Sequence, residues 1–203
     1  MFKFVKRLIS LVLVAAVVYM GSVIADKQTL SEEILRLHVV ANSDSQADQA
    51  VKLKVRDAIL EAVEESLVAV EFKADAQDSI ENRLSELEDI ANAVLDEAGI
   101  ADRATVSLTA EEFPTRVYDT FTLPAGVYDS LRVTIGDGAG QNWWCVVFPS
   151  LCLPAASEQV EDVAAGAGFS DSLSGAITGE EKYEVRFYLL DCLGRIENFF
   201  HRR

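Results

Sequence analysis

Nucleophilic, acid–base and metal chemistry in this chain would have to come from few side chains. Two histidines, His38 and His201, and three cysteines, Cys145, Cys152 and Cys192, supply all the imidazole and thiol groups in 203 residues. Neither histidine belongs to a pair at metal-ligand spacing. Cys145 and His38 form one conceivable nucleophile–base pair, since distance along the chain does not forbid it. Cys145 stands inside the apolar run Trp143–Phe148, however, where a buried thiol is normally inert. No serine-hydrolase elbow occurs, and acidic residues such as Asp48, Asp57 and Glu61 fall on charged helix faces that need no catalytic role. Gly136, Gly138 and Gly140 invite a phosphate-binding reading, but the last glycine of G-x-G-x-x-G is missing and no G-K-S/T follows. A tight hairpin or a partner-binding loop is the simpler expectation. The residues therefore predict no catalytic group, no metal and no cofactor.

The elements around that loop follow from period. Leu131 to Ile135 alternates as a strand, and Trp143 to Phe148 is too short to span a bilayer and too aromatic and β-branched for a solvated loop. Adjacent tryptophans on a strand point to opposite faces, which predicts either one of Trp143 and Trp144 in the core and the other near a surface where a partner docks, or both structural with one under each layer. Upstream, Leu35, Leu37 and Val39 alternate with Arg36 and His38, giving a strand over 34–41 with one wetter face. Asn42-Ser43-Asp44-Ser45 breaks it and offers N-caps for a helix over 45–70, whose stripe includes Val51, Val55, Ile59 and Ala62. After a polar break at 73–77, Ile80, Leu84, Leu87, Ala91 and Val94 predict a second helix over 78–98, stopped by Gly99.

Strands are then expected over 103–110, 115–122, 127–135 and 143–148, a short helix near 157–165, and a terminal helix within 182–200. Tyr183, Val185 and Phe187 leave a strand open as its beginning. The fold class is α+β, with two N-terminal amphipathic helices packed on a mainly antiparallel sheet and a C-terminal helix.

Lys3, Lys6 and Arg7 precede an uncharged stretch from Leu8 to Ala25, a pattern that predicts export of the rest of the chain. Residues 1–25 are expected to be either a removed signal peptide or a retained membrane anchor, with membrane contact through residues 8–25 in the second case. Residues 26–203 suffice for a single exported domain. The formal charge of −15 argues against nucleic acid and anionic lipid as partners. In an exported domain Cys145 and Cys152 could close a small loop across Phe148-Pro149-Ser150, or all three cysteines could be reduced and buried.

Three stretches together resemble a known family: Leu35-Arg36-Leu37-His38-Val39-Val40-Ala41-Asn42-Ser43-Asp44; Asp48-Gln49-Ala50-Val51-Lys52-Leu53-Lys54-Val55-Arg56-Asp57; and Leu123-Pro124-Ala125-Gly126-Val127-Tyr128 leading to Leu131-Arg132-Val133 and Asn142 to Cys152. Over residues 30–153 the chain is similar to the stage II sporulation protein R family. The resemblance implies a signalling protein of endospore formation rather than an enzyme. Such a protein is exported from the forespore into the intermembrane space, where it activates a membrane-embedded aspartic protease that processes a sigma-factor precursor. It also implies partner-binding candidates: His38, Asn42 and Asp44 at the first strand and helix, and Asn142, Trp143 and Trp144 at the glycine-loop end. A cell-envelope hydrolase and a passive envelope scaffold are the rival readings.

Overall fold

A computed structural model describes residues 2–68, 70–118, 121–149, 169, 171–178 and 184–201. Its centre is a four-stranded sheet of β1 (Leu35–Val40), β2 (Ala104–Phe113), β5 (Gly126–Ile135) and β6 (Asn142–Phe148), in the order β2-β5-β1-β6. β5 pairs antiparallel with β2, and β6 antiparallel with β1, but β1 and β5 run parallel, so the sheet is mixed. β3 (Arg116–Val117) and β4 (Thr122–Leu123) form a separate two-stranded ribbon. The strand expected over 115–122 is therefore two short ones. Burial of β1 corrects a second expectation: all six of its residues are buried, including Arg36 and His38, because a central strand with layers on both sides has no wet face.

The inner face of the sheet meets helices. α2 (Gln46–Leu67) starts where the Ser45 side chain accepts a hydrogen bond from the Asp48 amide, and it buries Val51, Val55, Ile59, Ala62 and Val63. The helix expected over 78–98 is two: α3 (Lys73–Glu81) and α4 (Leu84–Glu97). Asn82 and Arg83 close the turn between them, and Arg83 Nη1 donates to the Ala62 carbonyl at 2.9 Å. The polar break expected at 73–77 is the first turn of α3. Its Lys73 is buried and bridges to the Ser31 carbonyl and to Asp129 at 2.6 Å. Leu87, Ala91 and Leu95 of α4 complete a core with Leu37, Val39, Leu131, Val133 and Val147.

Three further helices pack on part of the outer face. α1 (Phe2–Glu33) is continuous; its first two-thirds expose apolar side chains, and its end buries Val23 and Leu30 completely. Among the described residues it is one helix long and apolar enough to cross a membrane. α5 (Asp171–Thr178) and α6 (Glu184–His201) join it over Phe113, Tyr128 and Val146. Val185 and Phe187 are helical, which settles the strand alternative against itself, whereas the helix expected near 157–165 lies outside the described residues. Gly194 lets α6 touch the sheet: a Cβ there would overlap the Ala125 carbonyl. Beside it Asp191 accepts hydrogen bonds from the Ala125 amide and the Thr115 hydroxyl.

Candidate functional site

The outer face changes character along the strands. Where α1 and α6 lie over it, Phe113 and Tyr128 are buried; toward the other end Thr105, Ser107, Thr109 and Asn142 are exposed. At the boundary stands His38. The register sets it opposite Trp144 on β6 and Arg132 on β5, and alternation points all three to the same side. Its ring stacks on Trp144 with centroids 3.7 Å apart and planes 17° from parallel. His38 Nδ1 lies 2.9 Å from Glu111 Oε2, and Nε2 lies 2.7 Å from Asn142 Oδ1. The Nδ1 proton goes to the carboxylate. The Nε2 contact is met either by a second ring proton or by the Asn142 amide turned to donate.

Arg132 Nη1 also donates to Glu111 Oε2, at 3.0 Å. Burial alone would push the Glu111 carboxyl up, but the His38 hydrogen bond and charge, with Ser130 and the Arg132 charge, outweigh it and hold the group below the ordinary glutamate value. The result is a fixed ladder of Trp144, His38, Glu111 and Arg132, with Arg132 and Asn142 at its wetter ends. Such an array can present oriented hydrogen-bond groups to another molecule. It cannot serve Cys145: that residue pairs with Leu37 and belongs to the inner core, so its side chain and His38 lie on opposite faces. Among the described residues no group of three or more His, Cys, Asp or Glu is placed to hold a metal.

The other candidates clamp the glycine loop. Asn42 Oδ1 accepts from the Asp137 amide at 2.9 Å, its Nδ2 donates to Asp102, and Asp44 Oδ1 accepts from the Gln141 amide at 2.8 Å. Buried Lys52 donates to the Gln141 carbonyl at 3.0 Å. Gly136 and Gly138 take positive φ of 56° and 60°, but the expected tight hairpin does not form: β1 lies between β5 and β6, so the loop carries the chain across the end of β1 from one flanking strand to the other. The tryptophans divide differently from the expectation of one core and one surface residue, since both are half-buried. Trp143 lies on the inner core with the Arg56 guanidinium 4.2 Å from its ring centroid, and Trp144 packs against Phe113 and His38. Cys145 is buried and Cys192 is a free thiol among the described residues; Cys152, the expected partner of Cys145, lies outside them.

Glu111 and Arg132 went unnoticed in the sequence as site residues. Each reads as the polar member of an alternating strand, and only the pairing of β2, β5 and β1 brings them to His38. The one signal was His38 itself, a polar residue in a run that is otherwise largely apolar.

Comparison with known proteins adds an independent line. The family model described as Stage II sporulation protein R matches residues 31–158. A Bacillus subtilis (strain 168) protein named Stage II sporulation protein R is 30% identical over 183 residues, covering 81% of each chain. No solved structure matches.

Proposed function

Since the chain belongs to the stage II sporulation protein R family, and so carries the forespore-to-mother-cell signal that activates sigma-factor processing, we propose how it delivers that signal. It does so as a membrane-tethered ligand. The domain contacts the membrane-embedded aspartic protease through the open end of the outer sheet face, and does no hydrolysis itself. The observation that carries this reading is the ladder of His38, Glu111, Arg132 and Asn142, held rigid against Trp144 yet open to solvent at Arg132 and Asn142. Preorganised polar groups beside an aromatic ring suit recognition, because little is left to order on docking.

The packing of α1 supports the tether. Asp26 forms an ion pair with Arg186, which also reaches Ser22, and Val23 and Leu30 sit in the outer core. Removal of residues 1–25 would take Val23 and Ser22 from that contact. Retention keeps the apolar half of α1 in the forespore membrane and residues 26–203 in the intermembrane space as one exported domain. Intact-chain mass measured from sporulating cells should include residues 1–25; a chain beginning at Asp26 would refute the tether.

Arg132→Ala and Asn142→Ala test the face, with Arg103→Ala as a control: Arg103 pairs with Asp96 at an exposed position near the other sheet face. The two face variants should fold normally and lose precursor processing, and the control should keep it. Equal processing by all three would place the signalling surface elsewhere.

A further inference from the structure

Arg36 is the largest fully buried side chain among the described residues, and no carboxylate there pairs with it. Its guanidinium lies 4.0 Å from the Phe113 ring centroid and 5.0 Å from that of Tyr128, and Nη2 donates to the Tyr118 hydroxyl at 2.8 Å. Nε and Nη1 have no partner among the described residues. Two more buried donors nearby are unmet in the same way: Arg116 Nε, and Nε1 of Trp144, whose ring lies 5.5 Å from the Arg116 guanidinium. Tyr118 links the group, since its hydroxyl meets both Arg36 and the Trp144 carbonyl. Native proteins rarely leave one buried donor orphaned, and four in one place, three of them on two like charges, call for an acceptor. Burial draws the Arg36 guanidinium below its ordinary value and the nearby Arg116 charge adds to this, while Tyr118 and Tyr128 oppose it.

We propose that Arg36, Arg116, Tyr118 and Trp144 form a binding niche for a single carboxylate group. A guanidinium fork matches the two carboxylate oxygens, and flat aromatic walls accept the plane of the group. The strongly negative chain disfavours a more highly charged anion such as phosphate. Arg116 opens β3 and Tyr118 follows it in the turn toward β4, and that ribbon pairs only two residues with two, so few ladder hydrogen bonds hold this edge of the niche. The site lies apart from the ladder's exposed groups, Arg132 and Asn142, and the proposal stands whether or not that face meets the protease.

The test is titration of the full chain in detergent with sodium acetate, sodium phosphate and sodium chloride at matched ionic strength, reading thermal midpoint and tryptophan fluorescence. Acetate should raise the midpoint saturably and change the fluorescence, while chloride does neither. Arg116→Gln should weaken acetate binding by about tenfold, the loss of one charge-assisted contact. Arg36→Met removes an unpaired charge and keeps the volume. It should be at least as stable as the unaltered chain in chloride and should not respond to acetate; if it fails to fold, Arg116→Gln decides alone. A short peptide with a free C-terminal carboxylate, set against its C-terminal amide, separates the sources: binding of the free acid more tightly than acetate assigns a peptide end, and equal binding assigns a small acid. Identical curves in acetate and chloride, an undiminished response in Arg116→Gln, or phosphate matching acetate would overturn the proposal.

Discussion

On the side of the sheet that meets α2 and α4, Leu37, Val39, Leu131, Val133, Ile135 and Val147 bury hydrocarbon against hydrocarbon. On the other side the same strands bury Arg36 and His38 beside Phe113, Tyr128 and Trp144, and leave Arg132 and Asn142 within reach of solvent. Apolar contacts on the inner side stabilise the fold and could be replaced by other apolar residues of similar volume. Buried charge on the outer side costs free energy unless each polar atom is matched, so its presence there is not explained by stability. α1 joins the outer side, which places the proposed signalling groups and the proposed tether in one layer.

The contrast can be broken most forcefully from the inner side. Leu131→Ala, at a fully buried position, should cost about 2–5 kcal/mol and weaken the whole domain in denaturant titration. A loss of outer-face structure alone would show that the inner core is not the common support. Gly194→Ala comes next. The added Cβ collides with the Ala125 backbone, so α6 must move off β5, at a cost of about 1–3 kcal/mol as the Ala125 amide loses Asp191. Hydrogen exchange should then rise over α6 and the start of β5, with α2 and α4 keeping their protection.

Glu111→Gln sharpens the comparison through pH. The folded carboxyl titrates below its unfolded value near 4.5, so its stabilising contribution is fully present above that pH and is lost as pH falls through the folded value. The variant should be less stable than the parent at neutral pH, and the gap should close in acid. A gap that persists unchanged in acid would mean that the His38 and Arg132 contacts do not depend on the Glu111 charge. The smallest effect concerns the thiols. If Cys145 and Cys152 are bridged, alkylation of the folded, unreduced chain should mark Cys192 alone, and reduction should expose two more sites; three labelled thiols before reduction would exclude the bridge.

Much of the inner side was legible from local pattern. Val51, Val55, Ile59 and Ala62 at helical spacing, and Leu35, Leu37 and Val39 at strand spacing, name the residues of that core because one apolar stripe must find another. Helix ends were less legible: the turn at Asn82–Arg83 carries no proline or glycine, and Arg83 holds it by reaching back to the Ala62 carbonyl. The outer side was hardly legible. Tyr118, a residue of no distinct pattern, meets Arg36 across 82 positions, and Glu111 meets His38 across 73.

The sequence by itself determined the apolar N-terminal stretch, the α+β class, the strand–glycine-loop–strand unit and the family, because each rests on period, composition or contiguous residues. Tertiary structure alone decided that β1 sits inside the sheet, parallel to β5, with both faces covered. That placement turned the expected wet face of β1 into a buried one. It set His38 against Glu111 and Asn142, and enclosed Arg36 among aromatic rings with two donors unmet. The physical reason is that alternation fixes which side chains share a face, whereas what covers the face depends on strands and helices far away in the chain.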